Sequence, residues 1–314
     1  MKAIQFHEFG EPGVLRYGDV DMPSPSSGQV LIRVAATSFN SVDGNIRAGF
    51  MQGPIPIVLP HIPGLDVAGV VESLGDAVTG LSVGDEVVGF LPMSEDGASG
   101  DYVLAPAAVL AAAPSTIPLA DAAALPLVGL TAWQALFDHA QLVAGQRVLI
   151  NGASGAVGGY AVQLAKAAGA SVIATASPQT IERVAGAGAD EIIDYTSTTI
   201  LEAVTEPVDI VVNLAPIDPT EFAALVALVR SGGVVVSTTV WMPTPADEKR
   251  NVRAVDLYVR SDRDQLTELV ARVDRGELVV DVAEHVPLAD LASVHARAMA
   301  GTISGKVVID VAPS

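Results

Sequence analysis

Residues 148–158 read Val148-Leu149-Ile150-Asn151-Gly152-Ala153-Ser154-Gly155-Ala156-Val157-Gly158, and the reading of this stretch decides the fold. Arg147-Val148-Leu149-Ile150 has the length and apolar character of a buried strand, and residues 156–168 form an Ala-rich helical pattern closed by Gly169. Between them, Gly152 and Gly155 permit the tight turn and close backbone approach that a pyrophosphate needs, and Gly158 lets a helix pack closely on a sheet. The first N–H groups of such a helix have no intrahelical partner and carry its positive dipole end, so they suit phosphate oxygens. Ala153 stands at the first glycine place of the six-residue fingerprint that ends at Gly158. The match is therefore partial, and Gly-rich strand–helix corners also arise for packing.

The surroundings of the turn favour a dinucleotide. Residues 171–176 read as a second strand, 179–187 as a second helix and 191–195 as a third strand. A near-continuous apolar strand follows over 208–215, then a helix over about 219–230, Gly232-Gly233 and a strand over 234–239. Strands alternating with helices imply a parallel sheet covered on both faces. Further on, 253–259 reads as a strand, and 262–275 as an amphipathic helix with Leu266, Leu269, Val270 and Val273 on one face. One more helix over 288–300 precedes a last strand over 306–311. The chain before the turn looks different. Short apolar runs at 29–35, 67–73 and 85–90 are divided by turn material such as Pro23-Ser24-Pro25-Ser26-Ser27-Gly28. That pattern suits a β-rich, barrel-like domain.

Composition narrows the function classes. A chain of 314 residues, half of them hydrophobic, can build two cored domains. The formal charge of −19 repels phosphate backbones and argues against a nucleic-acid partner. The chain has no cysteine, so disulfides and thiolate metal sites are ruled out, in keeping with a reducing, cytoplasmic setting. The start, Met1-Lys2-Ala3-Ile4-Gln5-Phe6-His7-Glu8, lacks the apolar core of a signal peptide, and no apolar run has the length of a membrane span. The five histidines, His7, His61, His139, His285 and His295, show neither ligand nor triad spacing.

The end of the second strand bears on the choice of cofactor. An acid there would hold a ribose 2′-hydroxyl and repel a 2′-phosphate. The chain reads Ala174-Thr175-Ala176-Ser177-Pro178, with no acid before Glu182, which permits NADP. Ser177 can donate a hydrogen bond, and Arg183 can either supply positive charge to the phosphate or solvate a helix face.

Several separate stretches share one resemblance. They are Asn40-Ser41-Val42-Asp43-Gly44-Asn45-Ile46-Arg47-Ala48-Gly49, Pro63-Gly64-Leu65-Asp66-Val67-Ala68-Gly69, Val83-Gly84-Asp85-Glu86-Val87, Gly129-Leu130-Thr131-Ala132 and the turn itself. In matching order over nearly the whole chain, they resemble the medium-chain dehydrogenase/reductase superfamily, with the closest look to its quinone oxidoreductase branch. The resemblance implies an α/β fold, in which a GroES-like β-barrel catalytic domain over 1–123, completed by 260–314, is joined to a Rossmann doubly wound parallel-sheet domain over 124–259. Alcohol dehydrogenases of this superfamily hold zinc with Cys and His where this chain has Asn40 and Leu65, so no metal is expected. Asp43, Asp66 and Glu86 could bind a hard cation, but salt-bridge or turn roles suit them better.

The resemblance further implies NADPH as cofactor, a hydrophobic quinone or α,β-unsaturated carbonyl as substrate, and a homodimer formed through the edge strand at 253–259. Asn40 would lie near the nicotinamide as a catalytic amide, with Asp43 beside it, and Asp43 would pair with Arg47 to brace the loop. Gly152, Ser154, Gly155, Ala156 and Val157 would hold the phosphates. Thr131 would lie by the nicotinamide ribose and Tyr195 by the adenine, with Leu214, Ala215, Ser177 and Arg183 completing the cofactor set. Phe50, His61, Trp241 and Tyr258 are the candidates for a substrate wall. Two departures stand out: relatives often carry Tyr in place of Phe50, and a 2′-phosphate-gripping Lys in place of Thr180. The residues also allow an enoyl or ketone reductase dedicated to a biosynthetic intermediate, or a non-catalytic NADPH-binding sensor.

Overall fold

The computed structural model describes residues 1–239 and 241–311; Val240 and the last three residues of the expected closing segment lie outside them. The chain forms two compact units, the first made of Met1–Leu127 with Ser261–Ser314 and the second of Val128–Arg260. In chain order the first unit opens with strands β1 (Lys2–Gln5), β2 (Arg16–Asp19) and β3 (Gln29–Ser38), then helix α1 (Ser41–Ala48). Strands β4 (Asp66–Leu74), β5 (Glu86–Phe90), β6 (Tyr102–Pro106) and β7 (Leu110–Ala112) follow. After helix α2 (Pro126–Trp133) come β8 (Arg147–Asn151), α3 (Ala156–Ala167), β9 (Ser171–Ala176), α4 (Ile181–Gly186) and β10 (Glu191–Asp194). The second unit continues with α5 (Ile200–Ala203), β11 (Val208–Asn213), α6 (Pro219–Leu225), β12 (Val229–Ser237) and β13 (Arg253–Asp256). The return segment carries α7 (Arg263–Asp274), β14 (Val282–Pro287), α8 (Leu291–Met299) and β15 (Lys306–Asp310).

In the first unit the sheet runs β14-β15-β3-β4-β5-β7, with β6 also on β3. One long strand serves three neighbours because it bends. Gln29–Arg33 pairs with β6, Ala36–Ser38 pairs with β15, and the pairing with β4 shifts register twice, between Leu31 and Ile32 and between Val34 and Ala36. Irregularities of this kind sharpen local twist and curl a sheet towards a barrel. Val30, Ile32, Val34, Val67, Val71, Val87 and Leu110 fill the inside, each stabilising by roughly 1.5–3 kcal/mol when fully buried.

The second unit is a parallel six-stranded sheet in the order β10-β9-β8-β11-β12-β13. The middles of its central strands, such as residues 148–150, 172–174, 210–212 and 234–236, are apolar and buried because helices cover both faces. Chain order reverses between β8 and β11, which is where doubly wound sheets bind ligands at the carboxyl ends of their strands. The α/β class with a barrel domain and a doubly wound parallel sheet is the fold observed.

Some elements differ from the pattern read in the sequence. The helix expected over 219–230 ends at Leu225, a 3-10 turn spans Val226–Leu228, and Val229 and Arg230 belong to β12. Phe222, Leu225 and Val229 mimic a helical stripe, but Arg230 ion-pairs with Asp209 on the neighbouring strand. Gly233 lies so close to β11 that a Cβ there would come within 2.4 Å of the Asp209 carbonyl oxygen. The segment after Asn40 is a helix, α1, closed by Gly49 in the left-handed region at φ +85°. Strand β14 carries Glu284 and His285 on an edge, a pattern too polar to read as a strand.

Candidate active site

In the second unit, Gly152 takes φ +84°, and its N–H donates to Thr175 Oγ1 at 2.9 Å. A Cβ on Gly158 would lie 2.3 Å from the Gly152 carbonyl oxygen and 2.5 Å from Ala153 Cα, so α3 rests its backbone directly on the turn. A Cβ on Gly152 would meet the Ala215 Cβ at 2.9 Å, where the chain leaves β11. The glycines are required by contact.

Beside the turn is a cavity of about 650 Å³ whose walls include Gly152, Ser154, Tyr195 and Ala215. Gly155 is the residue before α3, and Ala156 and Val157 open that helix. Leu214 donates its N–H to the Asn151 carbonyl oxygen at 2.9 Å. Thr131 is buried in α2. Asn151, Thr175, Glu202, Asp218 and Glu221 also line the cavity, and reading the sequence missed them. Two were legible as helix starts: Glu202 completes a capping box with Thr199, and Asp218 caps α6 by accepting from Thr220 N at 2.8 Å. No local pattern says that two helix starts face one cavity.

Thr180 closes the turn after β9. Its hydroxyl accepts the Ser177 N–H at 3.0 Å and lies 3.2 Å from Ser177 Oγ. Arg183 reaches from α4 to the glycine turn, donating from Nη1 to the Ser154 carbonyl oxygen at 3.4 Å. Its guanidinium thus lies beside the glycine turn.

In the first unit, four polar side chains are sealed together: Asn40, Asp43, Asp66 and Lys306, at 6, 4, 0 and 2% exposure. The Lys306 ammonium donates to Asn40 Oδ1 at 2.5 Å, the Phe39 carbonyl oxygen at 3.1 Å and Asp66 Oδ2 at 3.2 Å, which uses its three hydrogens. Asp66 also accepts from Ser38 Oγ at 2.6 Å, Asn40 Nδ2 at 2.9 Å and the Leu127 N–H at 2.7 Å. The second hydrogen of Asn40 Nδ2 goes to the Ser38 carbonyl oxygen at 3.3 Å. The carboxamide of Asn40 is therefore locked, both its hydrogens taken within the cluster, and only oxygen lone-pair capacity remains.

Asp43 turns back to accept the Asn40 N–H at 2.8 Å. Burial, helped by the charge of Asp66, pushes its carboxyl up to about 7, against the opposing pull of the Asn40 N–H and Lys306. Burial likewise holds the Lys306 ammonium below its ordinary value, with Asp66 and Asp43 working the other way. The expected pairing of Asp43 with Arg47 does not form. Arg47 instead donates to the Gly10 carbonyl oxygen at 2.7 Å and to Met299 Sδ at 3.4 Å, because its place on α1 faces the N-terminal loop and α8.

This donor set does not fit a zinc ion. An amide and an apolar side chain occupy the expected ligand positions, Asn40 and Leu65, and the nearby carboxylate is already occupied by an ammonium. Among the candidates for a substrate wall, Phe50, Trp241 and Tyr258 are 79, 63 and 64% exposed. His61 is buried edge-on against Phe6 at 5.4 Å, and burial lowers its pKa. It borders a separate cavity of about 560 Å³ in the first unit, near Gln5, Gln29 and Tyr102.

Comparison with known proteins is consistent along the chain. Residues 26–115 match the alcohol dehydrogenase GroES-like domain family, and residues 187–309 match the family described as zinc-binding dehydrogenase. A chloroplastic quinone-oxidoreductase homolog from Spinacia oleracea is 33% identical, covering 99% of this chain and 98% of that protein. A chloroplastic NADPH-dependent alkenal/one oxidoreductase from Arabidopsis thaliana is 34% identical over 98% of this chain and 79% of its own length. The solved quinone oxidoreductase of Coxiella burnetii superposes with a TM-score of 0.90 at 30% identity, over 99% of each chain. Among the described residues, no helix is long and apolar enough to cross a membrane.

Proposed function

The chain belongs to the medium-chain dehydrogenase/reductase superfamily, in its quinone oxidoreductase branch, and from that premise we propose that it reduces quinones or α,β-unsaturated carbonyls with NADPH and without zinc. The observation that carries this reading is the glycine cradle, where a Cβ on Gly158 would strike the Gly152 carbonyl oxygen at 2.3 Å. A backbone held bare in this way, at a helix start and a strand-order reversal, suits a pyrophosphate.

In this reading the N–H groups of Gly155, Ala156 and Val157 and the hydroxyl of Ser154 hold the phosphates. Tyr195, Leu214 and Ala215 bound the adenine side, and Thr131 meets the second ribose. Ser177 and Arg183 receive the 2′-phosphate, a role supported by the Arg183 contact with the Ser154 carbonyl oxygen. When bound, the reduced nicotinamide supplies a hydride. With no Lewis acid to polarise a carbonyl, an acceptor that delocalises the incoming charge is favoured, as quinones and enones do. Relatives named quinone oxidoreductase and alkenal/one oxidoreductase point the same way.

Asn40 and Asp43 enter as positioning residues. The hydrogens of Asn40 are committed within its cluster and Asp43 is sealed at 4% exposure, so the balancing proton comes from water. Phe50 in the first unit and Trp241 and Tyr258 in the second, all exposed, are proposed to contact substrate, whereas His61 borders its own cavity in the first unit. A homodimer is also proposed, paired through β13, which ends the sheet of the second unit and is largely exposed.

The test mixes purified protein with NADPH or NADH and a panel of 1,4-benzoquinone, 3-buten-2-one, a simple ketone and an enoyl thioester, with and without a chelator. Consumption of NADPH with the quinone or enone, indifferent to chelator, is expected. Turnover of the thioester alone points to a dedicated enoyl reductase, and cofactor binding without turnover of any acceptor points to a sensor; either outcome refutes the proposal.

A further inference from the structure

At the carboxyl edge of the second unit's sheet, one level of the central strands is polar. Thr175 lies near the end of β9, and Asn151, Asn213 and Ser237 are the last residues of β8, β11 and β12. Asn213 is in register with both Asn151 and Ser237, while the level below is Ile150, Val212 and Val236. None of the four is more than 7% exposed.

Their side chains are joined in one continuous run. The Gly152 N–H donates to Thr175 Oγ1 at 2.9 Å, and the Thr175 hydroxyl donates to Asn151 Oδ1 at 3.0 Å. Asn151 Nδ2 donates to Asn213 Oδ1 at 2.7 Å. Asn213 Nδ2 then divides its hydrogens between Ser237 Oγ at 3.2 Å and Thr239 Oγ1 at 3.1 Å. Ser237 and Thr239 close on each other at 2.7 Å. Up to that pair every donor points the same way, from the glycine turn towards β12, so each bond polarises the next.

A sheet covered on both faces has no need of such a row. Valine would serve, since a buried, satisfied polar pair adds little over well-packed apolar groups. What the row possesses is an end. Its first donor is the N–H of Gly152, the residue whose φ of +84° makes the turn. Its path crosses the reversal between β8 and β11, linking the strands under one half of a dinucleotide site to those under the other.

We propose that Thr175, Asn151, Asn213 and Ser237 form a positioning ladder that sets the Gly152 turn for the cofactor's pyrophosphate and ties it to β12 across the strand-order reversal. The inference rests on the dinucleotide reading above. Asn213 is fully buried and acts through Asn151 and Thr175, which themselves border the cavity.

The experiment measures dissociation constants of NADPH and NADH by fluorescence titration well below the melting temperature. It compares the parent with Thr175→Val, Thr175→Ser, Asn213→Leu and the Thr175→Val/Asn213→Leu pair. Thr175→Val keeps shape and removes the acceptor of the Gly152 N–H, so cofactor binding weakens about tenfold. Thr175→Ser restores the oxygen and most of the affinity. Asn213→Leu weakens binding without touching the cavity, and the double variant loses less than the product of the single losses, because both act on one turn. If the parent binds neither dinucleotide, the underlying reading falls and the ladder's role with it. If the parent binds and Thr175→Val binds equally well, the ladder alone is refuted. Should Asn213→Leu fail to fold, the Val and Ser pair at Thr175 still decides.

Discussion

Lys306→Met tests how the first unit's polar cluster is held. The substitution keeps an unbranched side chain, one atom shorter, and removes an ammonium that is 2% exposed and bonded to Asn40 Oδ1, the Phe39 carbonyl oxygen and Asp66 Oδ2. Breaking a buried ion pair from one side costs about 3–5 kcal/mol, because the remaining charge is left uncompensated. Asp66 retains three neutral donors, Ser38 Oγ at 2.6 Å, Leu127 N at 2.7 Å and Asn40 Nδ2 at 2.9 Å, which places the loss near the low end, about 3 kcal/mol. For a unit of this size that is a fall in Tm of roughly 6–12 °C. Both tryptophans, Trp133 and Trp241, lie in the second unit, so fluorescence reports that unit and circular dichroism reports both. The loss should appear in the dichroism transition. Adding Asp66→Asn removes the orphaned charge, so the double variant should be less destabilised than the two single losses added together. A Lys306→Met protein melting within about 2 °C of the parent, against the expected 6–12 °C, would refute the claim that the ammonium holds this cluster.

Asp43 bears on pH dependence. Its folded pKa of about 7 lies above the ordinary 3.8, so its contribution to stability is fully present below about pH 4 and is lost as pH rises through about 7. Asp43→Asn still accepts the Asn40 N–H and should abolish that decline, which urea midpoints across the range will check. Gly158→Ala drives a Cβ to 2.3 Å from the Gly152 carbonyl oxygen, so stability should fall by about 1–3 kcal/mol and dinucleotide binding with it. Unchanged titration of NADPH by that variant would contradict the cradle. Arg183→Ala should weaken NADPH and leave NADH as it was; equal losses for the two would remove Arg183 from the 2′-position.

Local signals made much of the fold legible. β8, β9 and β11 are short Val- and Ile-rich runs, and a strand covered on both faces needs nothing beyond its own composition to be recognised. The glycine turn was readable because backbone shape is a local property. The sequence points to Asn40, but the reason its amide is committed is not local. Its partners Asp66 and Lys306 stand 26 and 266 positions away, and no local spacing relates them. The sequence around Arg230 reads as helix because the stripe of Phe222, Leu225 and Val229 is helical in period, while the close approach of Gly233 to β11 is a contact between strands.

The sequence by itself determined the alternation of strands and helices, the bare backbone at Gly152–Gly158 and the absence of thiolate ligands. These follow from composition and short-range periodicity, which tertiary contacts do not alter. Only the tertiary structure decided which polar groups are sealed together. Burial, charge and hydrogen-bond satisfaction depend on what the fold brings alongside each residue. Folding turned Lys306 into the buried cation beside Asn40 and Asp66. It also aligned Thr175, Asn151, Asn213 and Ser237, from four separate strands, beneath the glycine turn.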